Sequence, residues 1–342
     1  MQQWAMALVF LAATGLSALL TPLAAAFGAR AGLVDHPRRG EVQRRPVART
    51  GGYAIYAGLI AAVALSLVLL PRHPEEYAKV WGFLLGALVL VPVAALDDWK
   101  RLGPLPQLGG QVLAAAIAIA FGILLDNVAN PFGGIVGIPL IAAIPLTVLW
   151  FVGMINTLNL LDTMDGLAAG ISGIAAGVLF VRAVGLEQYS IAALTLALAG
   201  AAFGFLAHNF HPARVFMGSS GSMLLGYGLA ALAILGGAKM ATIAMVLSIP
   251  ILDAALVISH RLLHRRSPFR GGDGAHLPHR LLAVGLPERW IAFLLYGLCL
   301  VLGYLGLALS AVHKLYALGV MAALLGAAVL LIANRRRAAP MS

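Results

Sequence analysis

Leu88-Val89-Leu90-Val91-Pro92-Val93-Ala94-Ala95-Leu96-Asp97-Asp98 decides how this chain is read. An apolar run suited to lipid leads directly into two adjacent carboxylates. A single acid would serve to end a helix at the headgroups. Two side by side repel unless a cation or a proton intervenes. The stretch therefore predicts a membrane helix whose end carries chemistry, and Gly103-Pro104-Leu105-Pro106 follows as a rigid turn before the next span.

The same alternation of apolar run and polar edge continues in both directions. The 342 residues are 61% hydrophobic and 11% charged, with a mean hydropathy of +0.94. A soluble domain carries about 25% charged residues, so the composition excludes that class. Runs of about 18 apolar residues read as membrane helices. Eleven are predicted, roughly 4–27, 51–70, 80–96, 109–125, 135–155, 167–184, 189–207, 222–236, 240–260, 290–310 and 314–333. The expected fold is an all-α integral membrane protein, a single polytopic domain over residues 1–342. Met1-Gln2-Gln3-Trp4 has no basic region ahead of its apolar run, which argues against a cleaved signal peptide. Cys299 is the only cysteine, so no intramolecular disulfide forms.

The formal charge of +10 is topological. With alternate loops labelled and the amino terminus outside, all 23 Lys and Arg except Arg72, Lys79, Arg182, Lys239 and Lys314 fall inward. That bias is the positive-inside rule, and it predicts an outer amino terminus and a cytoplasmic carboxyl terminus. It also removes the case for nucleic-acid binding. The acidic and His-rich segments fall on the same cytoplasmic side.

Asn156-x-x-Asn159-x-x-Asp162-x-x-Asp165-Gly166 places polar groups three apart, on one stripe if helical. One such residue caps a helix; four need another explanation. Oxygen ligands of this kind suit Mg²⁺, whose octahedron substrate phosphates and water complete. Phe216-Met217-Gly218-Ser219-Ser220-Gly221-Ser222 opens another span with amides able to meet an anion. The inward loop of about 261–289 holds Arg261, Arg265, Arg266, Arg270, His276, His279 and Arg280. It reads equally as a solvated basic loop or as a pyrophosphate clamp. Asp253, inside an apolar run, either ties helices together or acts.

Together these segments resemble the polyprenyl-phosphate N-acetylhexosamine-1-phosphate transferases, the superfamily of peptidoglycan translocase I and of enzymes that start O-antigen, common-antigen and teichoic-acid assembly. The resemblance covers nearly the whole chain, in order. It runs from Asp35-x-Pro37 and Pro46-x-x-Arg49-x-Gly51-Gly52, through Asp97-Asp98 and Asn156 to Leu167, to Asn209-Phe210-His211-Pro212-Ala213-Arg214-Val215-Phe216-Met217-Gly218. Pro250-x-x-Asp253 and Ser267-Pro268-Phe269 with His276-x-x-His279 complete it.

The resemblance implies transfer of a sugar-1-phosphate from a UDP-N-acetylhexosamine, with N-acetylglucosamine preferred, to a membrane polyprenyl phosphate. Asp97 and Asp98 would be catalytic. Asn159 and Ser219 would lie at the metal position, for Mg²⁺ or Mn²⁺. Asn156, Asp162, Asp165, Asn209, Arg270, His276 and His279 would bind substrate. A homodimer is compatible with this reading. The chain departs from the family where an Asp usually follows Met-Gly, now Ser219, and where His-x-His-His becomes His276-Leu277-Pro278-His279. Asp-Arg becomes Asp273-Gly274, Lys-x-His becomes Glu41-Val42-Gln43, a Lys becomes Gln107, and Thr163 replaces a glycine. Two other readings stay open: a relative that binds lipid carrier, nucleotide sugar or a partner enzyme without turnover, and an ion-coupled transporter.

Overall fold

The computed structural model describes residues 2–36, 46–130, 134–237, 240–263 and 276–337. Helices dominate it. α1 (Gln2–Arg30) leads through β1 (Val34–Asp35) and β2 (Val47–Ala48), which pair antiparallel with Val34 opposite Ala48. α2 (Gly51–Leu69), α3 (Pro74–Lys100) and α4 (Pro104–Ala120) follow. The antiparallel strands β3 (Asn127–Ala129) and β4 (Ile135–Gly137) precede α5 (Leu140–Leu161). α6 (Leu167–Val184), α7 (Tyr189–Asn209), α8 (Gly218–Leu235), α9 (Met240–Val246) and α10 (Ser248–Leu263) come next. The short α11 (Leu277–Ala283), α12 (Glu288–Ala308) and α13 (Ala311–Arg337) complete the order.

Each of the eleven predicted runs has a helical counterpart. Among the described residues eight helices are long and apolar enough to cross a membrane. The α9–α10 pair, bent by 75°, makes a ninth if taken as one broken span, and α4 and the described part of α13 are shorter apolar helices. Two boundaries move for identifiable reasons. The predicted 135–155 span starts at Leu140 because β4 and Pro139 intervene, with Gly134 at a φ of +82°. The predicted 240–260 span breaks near Leu247, where Pro250 in the first turn of α10 supplies no N–H to the turn before it.

α8 is the axis of the bundle and is buried along almost its whole length. Tyr227 packs against Phe83 and Phe151 and donates its hydroxyl to the Gly82 carbonyl at 3.0 Å. The Trp150 indole donates to the Ala230 carbonyl at 3.1 Å. Small residues let the backbones close: a Cβ on Gly226 would stand 2.6 Å from the Ile155 Cα. Such close approach replaces the hydrophobic drive that helices lack inside lipid. Around this core, α1 exposes Trp4, Leu8, Leu11 and Leu19, and α12 exposes Trp290, Phe293 and Leu294. Large apolar side chains facing outward in that number mark a lipid-contacting surface. The protein is a multi-pass membrane protein.

Candidate active site

The ends of α3 and α5 and the start of α8 meet at one place. Asp97 and Asp98, at the end of α3, are buried at 8% and 6% exposure. Asp98 accepts the Ser219 backbone N–H at 2.7 Å and the Ser220 N–H at 3.2 Å. It thus caps α8 from another helix, satisfying amides the helix leaves open. Asp97 accepts the Gln107 side-chain amide at 2.8 Å on one oxygen and the Ser219 hydroxyl on the other. One turn on, the Ser222 hydroxyl donates to Asn159 Oδ1 at 3.1 Å.

The first-loop motif holds this corner together. Phe216 N–H donates to the Ala48 carbonyl at 2.8 Å, and the Gly51 and Gly52 N–H groups donate to Phe216 and Met217 carbonyls at 3.0 and 2.9 Å. Gly218 has a φ of +71°, and a Cβ there would stand 2.3 Å from the Arg49 carbonyl and 2.8 Å from an Asp98 oxygen. Gly218→Ala should therefore introduce backbone strain and lose about 1–3 kcal/mol of stability before any clash is counted. The check is the melting temperature in detergent, and an unchanged value would mean that the corner does not need this turn.

Asp162 is the residue after α5, where φ −73° and ψ 57° end the helix that carries Asn156 and Asn159. Burial pushes its carboxyl up to about 7, Asp98 and Asp165 add to the rise, and Arg49 opposes it. The folded state then holds this proton more tightly than the unfolded chain. Stability from this group is present below about pH 4 and is lost as pH rises towards 7. Asp162→Asn should flatten that part of the stability–pH curve, measured by thermal melts from pH 4 to 8; an unchanged slope would assign it to other groups.

Other expected site residues take positions of their own. Asn156 donates both amide hydrogens inside the bundle, to Gln111 Oε1 at 2.7 Å and to the Val152 carbonyl at 2.8 Å. Asn209 braces two loops, accepting Gly166 N–H at 3.0 Å and donating to the Val215 carbonyl at 2.9 Å. Asp165 accepts His211 Nδ1 at 3.0 Å and Ala213 N–H at 2.9 Å. Asp253 accepts His276 Nδ1 at 2.8 Å and Leu277 N–H at 2.6 Å, so it pins the start of α11. His279, one turn into α11, is pushed below the usual histidine value, first by burial and then by His276, with Asp253 opposing. Arg270 lies outside the described residues, as do Ser267-Pro268-Phe269 and Asp273.

Glu288 and Tyr296 of α12 were not singled out from the sequence. Glu288 places Oε2 2.9 Å from His211 Nδ1, and the Tyr296 hydroxyl donates to the Gly166 carbonyl at 2.6 Å. No motif surrounds either residue, so only the packing of α12 against the two loops shows them.

Comparison with known proteins places the chain among the polyprenyl-phosphate sugar-phosphate transferases. The chain belongs to that family: residues 80–237 match the model described as glycosyl transferase family 4. A probable undecaprenyl-phosphate N-acetylglucosaminyl 1-phosphate transferase of Bacillus subtilis is 33% identical over 81% of this chain and 77% of its own length. A decaprenyl-phosphate N-acetylglucosaminephosphotransferase of Mycobacterium leprae is 33% identical over 85% of this chain and 80% of its own. A phospho-N-acetylmuramoyl-pentapeptide-transferase of Moorella thermoacetica is 33% identical over 73% and 81%. The protein is an enzyme of the glycosyl-1-phosphate transferase type.

Proposed function

We propose that this enzyme transfers N-acetylglucosamine-1-phosphate from a UDP-sugar to undecaprenyl or another polyprenyl phosphate, at the start of cell-envelope glycan synthesis. The observation that carries the reading is the convergence of Asp97, Asp98, Ser219 and Asn159 at the buried start of α8, in a chain of this family. An oxygen of the lipid phosphate attacks the sugar-bearing phosphorus of the donor. The bond from that phosphorus to the bridging oxygen breaks, and UMP leaves with the electron pair.

Asp97 accepts the proton of the acceptor phosphate and leaves a full anionic nucleophile. Asp98 holds the first amides of α8 in place, so that the remaining N–H groups and the helix dipole face the incoming phosphates. Arg49, whose charge acts on both Asp98 and Asp162, offsets the negative charge that gathers there. The donor set suits a hard cation, with carboxylate, carboxamide and hydroxyl oxygens and no sulfur. Asn159 and Ser219, beside Asp97, would hold Mg²⁺ or Mn²⁺, which when bound would neutralise phosphate charge. Asp165 and Asn209 shape the nucleotide side, and His276, His279 and Arg270 grip the diphosphate.

The enzyme works in the inner membrane of a bacterium with its site on the cytoplasmic face, the amino terminus out and the carboxyl terminus in. The asymmetry of Lys and Arg supports this orientation. A second reading, binding without turnover, is favoured by one observation: both oxygens of Asp97 already hold donors, one of them Ser219 where the family has an acid.

UMP release by the purified chain with UDP-N-acetylglucosamine, undecaprenyl phosphate and Mg²⁺ tests the proposal. Turnover supports it. Binding of donor or lipid with no UMP released, while a known relative prepared alongside is active, would select the second reading.

A further inference from the structure

Among the described residues, one cluster joins a histidine and two acids from three separate segments. Asp165 lies in the turn between α5 and α6, His211 in the loop between α7 and α8, and Glu288 at the first residue of α12. We propose that these three side chains form a cation site apart from the Mg²⁺ position, one that takes Zn²⁺ and clamps α12 onto both loops.

The geometry of His211 carries the inference. Its Nδ1 lies 3.0 Å from Asp165 Oδ2 and 2.9 Å from Glu288 Oε2. That nitrogen carries at most one hydrogen, so a single proton cannot bond both carboxylates well. Two carboxylates and one ring nitrogen converge on a position a divalent ion would satisfy at once. All three ligand atoms lie within 4.8 Å of one another. Zinc binds such atoms at about 2.0–2.2 Å, commonly through three protein groups and one open position. Carboxylate rotation supplies the remaining convergence.

The surroundings suit a metal as well. The side chains are 19%, 23% and 13% exposed for Asp165, His211 and Glu288, enough for an ion to enter. The ligands are themselves held: Ala213 N–H donates to Asp165 Oδ2 at 2.9 Å, and Arg289 Nε donates to the His211 carbonyl at 3.1 Å. Such supporting contacts commonly orient metal ligands. Mixed imidazole and carboxylate donors favour zinc over magnesium. An ion here would lock Gly166, and with it Asn209 and Tyr296, which bond Gly166 from opposite sides.

The test uses the full chain in detergent, carrying a tag without histidine, stripped with chelator and titrated with Zn²⁺ in excess Mg²⁺. Calorimetry and elemental analysis should find one Zn²⁺ per chain, accompanied by a rise in melting temperature. Glu288→Gln and His211→Gln should each weaken binding at least tenfold. X-ray absorption on the native protein should report one imidazole with oxygen ligands, a readout that does not depend on any variant folding. No Zn²⁺ bound above the Mg²⁺ background would overturn the proposal. So would full affinity in both variants, or two imidazoles on the metal, which would move the ion to His276 and His279.

Discussion

Asp97→Asn should fold and melt like the native chain yet lose about 10²–10⁴-fold in turnover, the usual worth of a positioned proton acceptor. The hydrogen bonds predict the first half. Asp97 accepts from Gln107 on one oxygen and from the Ser219 hydroxyl on the other. An asparagine keeps one carbonyl oxygen for Gln107, and its amide can donate to Ser219, whose hydroxyl turns to accept. The network survives while the charge goes. Asp98→Asn differs, because Asp98 meets two backbone N–H groups of α8. An amide there keeps one of them and turns a donor towards the other. Leaving that buried N–H unmet costs about 1–3 kcal/mol, so Asp98→Asn should lower stability and turnover together. The pair separates charge from architecture. Should Asp97→Asn retain more than about a tenth of native turnover, the proton-acceptor role of Asp97 is lost.

Ser219→Asp should make the protein visibly dependent on divalent metal for its stability. Ser219 is 6% exposed, and its hydroxyl donates to Asp97. A carboxylate in its place faces another carboxylate at contact distance, and both ionise only with a cation between them. In chelator the variant should melt below the native chain. With Mg²⁺ it should recover, and the Mg²⁺ concentration for half-maximal effect should fall tenfold or more, a gain of about 1.4 kcal/mol. Melts across a Mg²⁺ series, read beside UMP release, provide the check. Identical Mg²⁺ responses in variant and native chain would place the metal elsewhere.

Much of the architecture was legible because a membrane imposes a coarse rule. Every predicted run became helix, since a backbone in lipid must satisfy its own N–H and C=O groups. What periodicity and composition could not convey were the interruptions. The 75° bend near Leu247 comes from a proline that local hydropathy averages away, and β4 takes up the apolar start of the predicted 135–155 run.

At the site, Asp97, Asp98 and Ser219 were marked by motifs, and the structure brings them into contact. Their partners were less visible. Asn156 and Asn209 read in sequence as ligand-binding amides, and the structure adds the internal hydrogen bonds that hold each of them in place, to Gln111, Gly166 and Val215. Glu288 gave no signal at all. It sits far along the chain, and its meaning depends on where α12 packs.

The near-complete enclosure of α8 bears on how the molecule is assembled. Of the eight long helices it is the least apolar, rich in Gly and Ser where it meets its neighbours. Released alone into a bilayer during synthesis, it would hold its place less firmly than any of the others. Its principal packing partners, α2, α3 and α5, all precede it in the chain. The ribosome thus delivers the most dependent segment into a cradle whose walls have already been made. The corner where Asp97 and Asp98 meet Ser219 is then complete only once α8 is seated, so a chain that stalls before α8 lacks it.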